Sequence, residues 1–230
     1  MNYKEVIEAK YNREAWQQLL HDIFLNKVQF YNSTSEVKVN SRLAKSALYI
    51  GRISLSDGES LGIYEVELAD KVDIERNKRG IRDLLTKDWK DMGHAGAFMF
   101  CYRKNESVLR FSYVSETWGF NKKGDYEKLS TNTKRYTYLL GEGRGCRTAI
   151  EQFNALKDSK QSLSDVTAAF SVEALTKQFY KDLFDWYQWA VDPASGVYFP
   201  NNTSTEDDDR EDIETKIIRM ITRIMFVWFI

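Results

Sequence analysis

The sequence predicts an α/β fold: a mixed, mainly antiparallel sheet flanked by helices, with a helical C-terminal part. Three observations carry this. Two apolar runs flank Asp57-Gly58, a dipeptide that strongly signals a tight β-hairpin turn. Two further apolar stretches, 97–102 and 108–114, have the length and content of strands. Apolar residues at helical spacing stand before and after this block, and they dominate from residue 147 onward.

Taken in order, the first element is a helix over 13–25. Trp16, Leu19, Leu20, Ile23 and Phe24 fall on one side, and Asn12 stands where an N-cap belongs. A short strand is expected at 27–31 and a polar loop at 32–44. The hairpin follows, with strands at 47–55 and 61–68. In the second strand Leu61, Ile63, Glu65 and Glu67 share one face, and Gly62, Tyr64, Val66 and Leu68 share the other. From 74 to 92 the period becomes helical, ending at Asp91-Met92-Gly93-His94. Strands at 97–102, 108–114 and 136–140 come next, with a polar loop over 121–133. The turn Gly141-Glu142-Gly143-Arg144-Gly145 leads into a helix at 147–156. A longer helical block over 164–191 starts at Ser162-Leu163-Ser164-Asp165.

The expected organisation is an α/β domain over 1–158, a helical extension over 159–200, an acidic linker over 201–212, and a helix over 213–230. That last helix is apolar at helical spacing and stops within an apolar run. The expectation is therefore a piece of a longer protein.

Composition narrows the function classes. The 33 Lys and Arg nearly cancel the 34 Asp and Glu. Net charge therefore decides nothing about nucleic acid, and only a local basic patch could. Cys101 and Cys146 form neither a disulfide framework nor a zinc pattern, which suits a reducing, cytoplasmic setting. The N-terminal residues lack the apolar core of a signal peptide, and no run reaches the roughly 18 apolar residues of a membrane span.

Chemistry is concentrated around the hairpin. Glu65 and Glu67 point to one side of their strand, where the face changes from apolar to acidic. Clustered carboxylates are what a divalent cation needs to hold phosphate and activate water. Arg76, Lys78, Arg79 and Arg82 follow and could contact phosphates, as could Arg144 and Arg147. Two readings stay open. One is a metal-dependent phosphodiesterase site, with Asp57 and Glu65 on Mg²⁺ and Glu67 as a further ligand or water-orienting group. The other is an ordinary hairpin, with a turn Asp and solvated acids facing basic counter-charges. His21 and His94 lack a matching Ser or Cys motif, so no triad is indicated. The aromatic residues after Phe179 suit helix packing better than base stacking.

The order helix, hairpin, acid-bearing strand, helix, strand resembles the core of the PD-(D/E)XK nucleases. Glu65-Val66-Glu67 occupies the E-x-K positions, with Glu67 in place of Lys. The family's earlier Asp lies level with 51–54, where this chain has Gly-Arg-Ile-Ser; Asp57 stands later, at the hairpin tip. Most of the chain, about 11–192, also resembles the N-terminal region of single-chain type IIS or IIG restriction–modification enzymes. The residues that carry this are Tyr11-Asn12-Arg13-Glu14-Ala15-Trp16, the hairpin, Arg76-Asn77-Lys78-Arg79-Gly80-Ile81-Arg82, Lys134-Arg135-Tyr136-Thr137-Tyr138, Arg147-Thr148-Ala149, and Ala169-Phe170-Ser171-Val172-Glu173. The resemblance implies double-stranded DNA as a partner, together with methyltransferase and specificity parts of the same full-length chain. It implies either Mg²⁺-dependent DNA cleavage or a catalytically silent domain that positions DNA or docks the methyltransferase. The Gly-rich cofactor motif and the Asn-Pro-Pro-Tyr-type motif are absent, so no S-adenosylmethionine site is expected. The two readings differ geometrically: ligands of one Mg²⁺ must converge within about 5 Å of a common point.

Overall fold

The computed structural model describes residues 1–76, 85–116, 118–120, 126–128, 134–200 and 207–229. It divides into two compact units, 1–172 and 173–230.

The first unit begins with α1 (Tyr3–Ile7) and α2 (Arg13–Phe24). Asn12 caps α2 as expected, its side chain accepting from the Ala15 N–H. The sheet then builds from β1 (Val28–Glu36), β2 (Ala44–Ser54) and β3 (Ser60–Leu68), joined by the Asp57-Gly58 hairpin. A short helix, α3 (Thr86–Asp91), leads to β4 (Gly96–Tyr102), β5 (Val108–Ser115) and β8 (Lys134–Gly141). A small separate ribbon pairs β6 (Trp118–Phe120) with β7 (Tyr126–Lys128). Two helices, α4 (Arg147–Lys157) and α5 (Leu163–Ala169), complete the unit.

The six main strands lie in the order β1-β2-β3-β4-β5-β8. All neighbours are antiparallel except β3 and β4, which run parallel. The predicted mixed, mainly antiparallel α/β architecture is therefore the one found. Apolar side chains cover both faces of the sheet. On one face Leu61, Ile63, Phe98 and Phe111 meet Trp16, Leu20 and Phe153 from the helices. On the other, Tyr64, Val66, Met99 and Val114 meet Leu85 and Trp89. The division of β3 into two faces is the one its alternation predicts. Because it is central and covered on both sides, its carboxylates are buried with it.

The structure departs from sequence expectation in several places. β1 continues to Glu36, because the polar residues 32–36 occupy an edge strand and most of them face solvent. Among the described residues, the helix expected over 74–92 appears as α3. Ile74 to Arg76 form a turn, where the Asp73 side chain accepts from the Glu75 and Arg76 N–H groups. Residues 77–84 lie outside the described residues. The loop expected over 121–133 contains β7. The helical block over 164–191 is two helices, α5 and α6 (Val172–Val191). It breaks because Phe170 leaves the helix for the core, where it meets the rings of Phe98, Phe111, Tyr113 and Phe153. α5 thus belongs to the first unit, beyond the boundary expected at 158. Of the acidic linker, 201–206 lies outside the described residues, and 207–212 is already helical, in α7 (Asp207–Phe229).

Replacing Phe170 with Ala should cost about 3–5 kcal/mol, the range for removing a fully buried aromatic. Urea unfolding followed by tryptophan fluorescence measures it. A loss below about 1 kcal/mol would mean that the helix break has another cause.

Candidate functional site at the carboxyl ends of two parallel strands

The parallel pair places the ends of β3 and β4 side by side, with Glu65 opposite Phe100 and Glu67 opposite Tyr102. Glu65 is only 6% exposed. A carboxylate that deep must be hydrogen-bonded or neutralised, and here it is both. Glu65 Oε2 accepts from Arg13 Nε at 2.5 Å and from the Tyr11 hydroxyl at 3.0 Å. Oε1 accepts from Arg13 Nη2 at 3.0 Å and from the Tyr102 hydroxyl at 3.0 Å. These four bonds fill the roughly four lone-pair positions that a carboxylate offers. The Arg13 fork is bidentate, the strongest common geometry for such a pair. Tyr11 and Tyr102 stack with ring centroids 4.6 Å apart, and Tyr11 also stacks on Phe100. Burial, followed by the adjacent Glu65 charge, pushes both tyrosine hydroxyls well above their ordinary pKa, so they remain donors.

One strand position further along the same face, Glu67 lies 3.2 Å from Lys104 Nζ and 3.8 Å from Lys45 Nζ. Lys45 also binds Asp70 at 2.6 Å, and Arg103 donates to the Asp70 carbonyl at 2.6 Å. Arg103 pairs in turn with Glu106. Arg13, Lys45, Arg103 and Lys104 thus gather at one end of the sheet, linked through Glu65, Glu67 and Asp70. Lys104 is the most open of them, its side chain 73% exposed.

Asp57 is elsewhere. Its Oδ2 accepts from the Leu163 N–H at 2.8 Å and its Oδ1 from the Glu59 N–H at 3.4 Å. It ties the hairpin tip to the start of α5, beside the Ser162–Asp165 capping box. Ser60 to Glu65 spans five strand steps, roughly 16 Å at about 3.3 Å each, and Asp57 lies beyond Ser60. Asp57 and Glu65 therefore do not converge. The donor set does not fit Mg²⁺: Asp57 is engaged by backbone amides at the far end, and Glu65 has no lone pair left. Among the described residues, no group of three or more potential metal ligands comes together.

The other expected phosphate contacts are scattered. Arg76 is exposed and pairs with Asp73 at 3.8 Å. Arg144 pairs with Glu75, and Arg147 with Glu151 at 2.8 Å within its own helix. Lys78, Arg79 and Arg82 lie outside the described residues. The side chains that sequence reasoning did not assign a role here are Tyr11, Arg13, Lys45, Tyr102, Arg103 and Lys104. One signal for Tyr102 and Lys104 was present: an apolar strand ending in Tyr102-Arg103-Lys104 exposes polar groups where it leaves the core.

A second polar cluster lies at the amino ends of β3 and β4. His94 Nε2 is 2.9 Å from the Tyr49 hydroxyl and Nδ1 is 2.8 Å from Ser60 Oγ. Both ring nitrogens are committed, and the cluster fastens β2, β3 and the turn after α3. Burial, then the nearby Arg52 charge, lowers the His94 pKa, against an opposing pull from Asp88.

Comparison with protein-family models, characterised proteins and solved structures gives no match to this chain. Among the described residues, no helix is long and apolar enough to cross a membrane.

Two outcomes follow. Arg13→Ala leaves Glu65 with two neutral donors and no cation. It should cost about 1–2 kcal/mol in urea unfolding, less than a fully buried pair because Arg13 is 39% exposed. The lowered His94 pKa means that the unfolded chain takes up this proton first as pH falls. Stability from His94 is therefore complete above about pH 6.5 and declines below it. The urea midpoint should fall between pH 7.5 and 5.5, and fall less in His94→Gln. An equal fall in both would show that His94 does not contribute.

Proposed function

We propose that the first unit positions double-stranded DNA by binding its phosphates at the carboxyl ends of β3 and β4, and does not itself hydrolyse it. The observation that carries this reading is the Glu65 arrangement: the acid that hydrolysis would need is saturated by Arg13, Tyr11 and Tyr102. Around it Lys45, Arg103 and Lys104 present cations at one end of the sheet. Surface ion pairs of this kind are worth little, so phosphates can compete with Glu67 and Asp70 for the exposed lysines. Phosphate contacts fix position without reading sequence, which suits a positioning role.

This is the silent-domain branch of the resemblance to restriction–modification enzymes. The sequence of α2, the β2–β3 hairpin, α3 and β4 supports a restriction-endonuclease-like core for it. Such a domain would have kept the nuclease framework, with Glu65 turned to holding Arg13 and the two tyrosines in place.

Fluorescence anisotropy with a labelled duplex tests the reading. With three to four phosphate contacts, log K should fall against log salt with a slope of roughly −3. Lys45→Glu combined with Lys104→Glu should weaken binding and reduce the slope by about 2. Salt-insensitive binding, or binding unchanged by the double substitution, would contradict it. So would Mg²⁺-dependent cleavage that disappears in Glu65→Ala.

A further inference from the structure

The second unit presents a different problem. Ala190 on α6 and Ile217 on α7 are buried, and the two helices jointly line two grooves. At 100° per residue, the apolar side chains of α6 from Trp186 round to Phe184 fill an arc of about 160°. Those of α7 from Val227 round to Ile218 fill about 180°. Packing against one neighbour uses an apolar stripe of roughly 100°. Each helix therefore carries apolar surface for two neighbours and has one within the unit.

The surplus lies on both sides of the helix pair, and the two sides differ. One is a groove of about 450 Å³ lined wholly by apolar and aromatic side chains, among them Phe179, Leu183, Trp186, Met220 and Ile224. The other carries hydroxyls, from Tyr180, Tyr187 and Thr222, and can remain wet. On and beside the first groove, Phe179 is 44% exposed, Trp186 40%, Trp189 55%, Ile224 60% and Val227 77%. With roughly 150–250 Å² for a large side chain, this leaves on the order of 600 Å² of apolar surface. That is at the top of the range for the largest patch on a monomer.

We infer that this groove is a self-association surface: two copies of the chain join through α6 and α7 to close a four-helix bundle. The count of helices favours a second copy, because each helix lacks one neighbour and another α6–α7 pair supplies both. The area agrees. Two such faces would bury about 1,200 Å², the lower bound of a specific interface. A twofold arrangement places the same groove on both sides, as an isologous dimer requires. The chemistry agrees too, since a groove with few polar atoms matches a copy of itself without leaving hydrogen-bonding groups unpaired.

The test is the mass of the whole chain in solution, by sedimentation velocity from 1 to 100 µM. A concentration-dependent rise from 26.9 kDa toward twice that value is expected. Ile224→Glu with Val227→Glu should weaken association roughly tenfold or more, because four carboxylates per dimer would lose water. Both positions are exposed, so the fold should survive, and circular dichroism checks that it does. Phe184→Glu, on the wetter side, should leave association unchanged. A wild-type chain that stays monomeric at 100 µM would overturn the inference. A dimer insensitive to the double substitution, or one abolished by Phe184→Glu, would overturn it as well.

Discussion

The first unit depends on how a carboxylate is accommodated in the middle of a sheet covered on both faces. β3 is central, and Glu65 on it is only 6% exposed. The charge must be answered locally, and three side chains answer it: Tyr11 just before α2, Arg13 at the start of α2, and Tyr102 from the end of β4. The same contacts therefore fix where α2 begins against the sheet and hold the two tyrosine rings together. A buried ion pair is weak support for stability in itself, but removing one partner leaves a charge stranded. Glu65 thus sets the geometry of the neighbouring groups more than it adds to net stability.

That arrangement separates the two ends of β3. At the amino end, Asp57 and His94 serve as fasteners, one holding the hairpin tip to α5 and the other tying β2 and β3 to the turn after α3. At the carboxyl end stands a group of cations with graded exposure, from the more covered Arg103 to the open Lys104. Arg110, buried in β5, donates to the Ile74 and Glu75 carbonyls and anchors the chain at that same end. The amino end is held by hydrogen bonds of Asp57 and His94, and the carboxyl end by ion pairs.

Much of the fold was legible because burial leaves periodic traces. The alternation of β3 gave its two faces, Asn12 gave the start of α2, and the run before Arg103 gave β4. What was hidden has physical reasons. β1 is an edge strand, so its second half is as polar as a loop. Phe170 continues a helical stripe in sequence, yet the aromatic core draws it out of the helix. The acidic pair at Glu65 and Glu67 was visible, but its meaning was not. Spacing shows that two carboxylates share a face; it cannot show that Arg13, more than fifty residues earlier, arrives to saturate one of them. Asp57 presented the same difficulty, since its partner at Leu163 lies 106 positions away.

The account stands or falls on whether Glu65 is a structural anion or a metal ligand. Calorimetric titration of the chain with Mg²⁺ or Mn²⁺, with and without duplex DNA, addresses this most directly. Saturated as it is by Arg13, Tyr11 and Tyr102, Glu65 should give no stoichiometric binding heat in either case, and Glu65→Ala should leave the titration unchanged. A one-site isotherm in the wild-type chain that vanishes in Glu65→Ala would contradict the account and restore the hydrolytic reading.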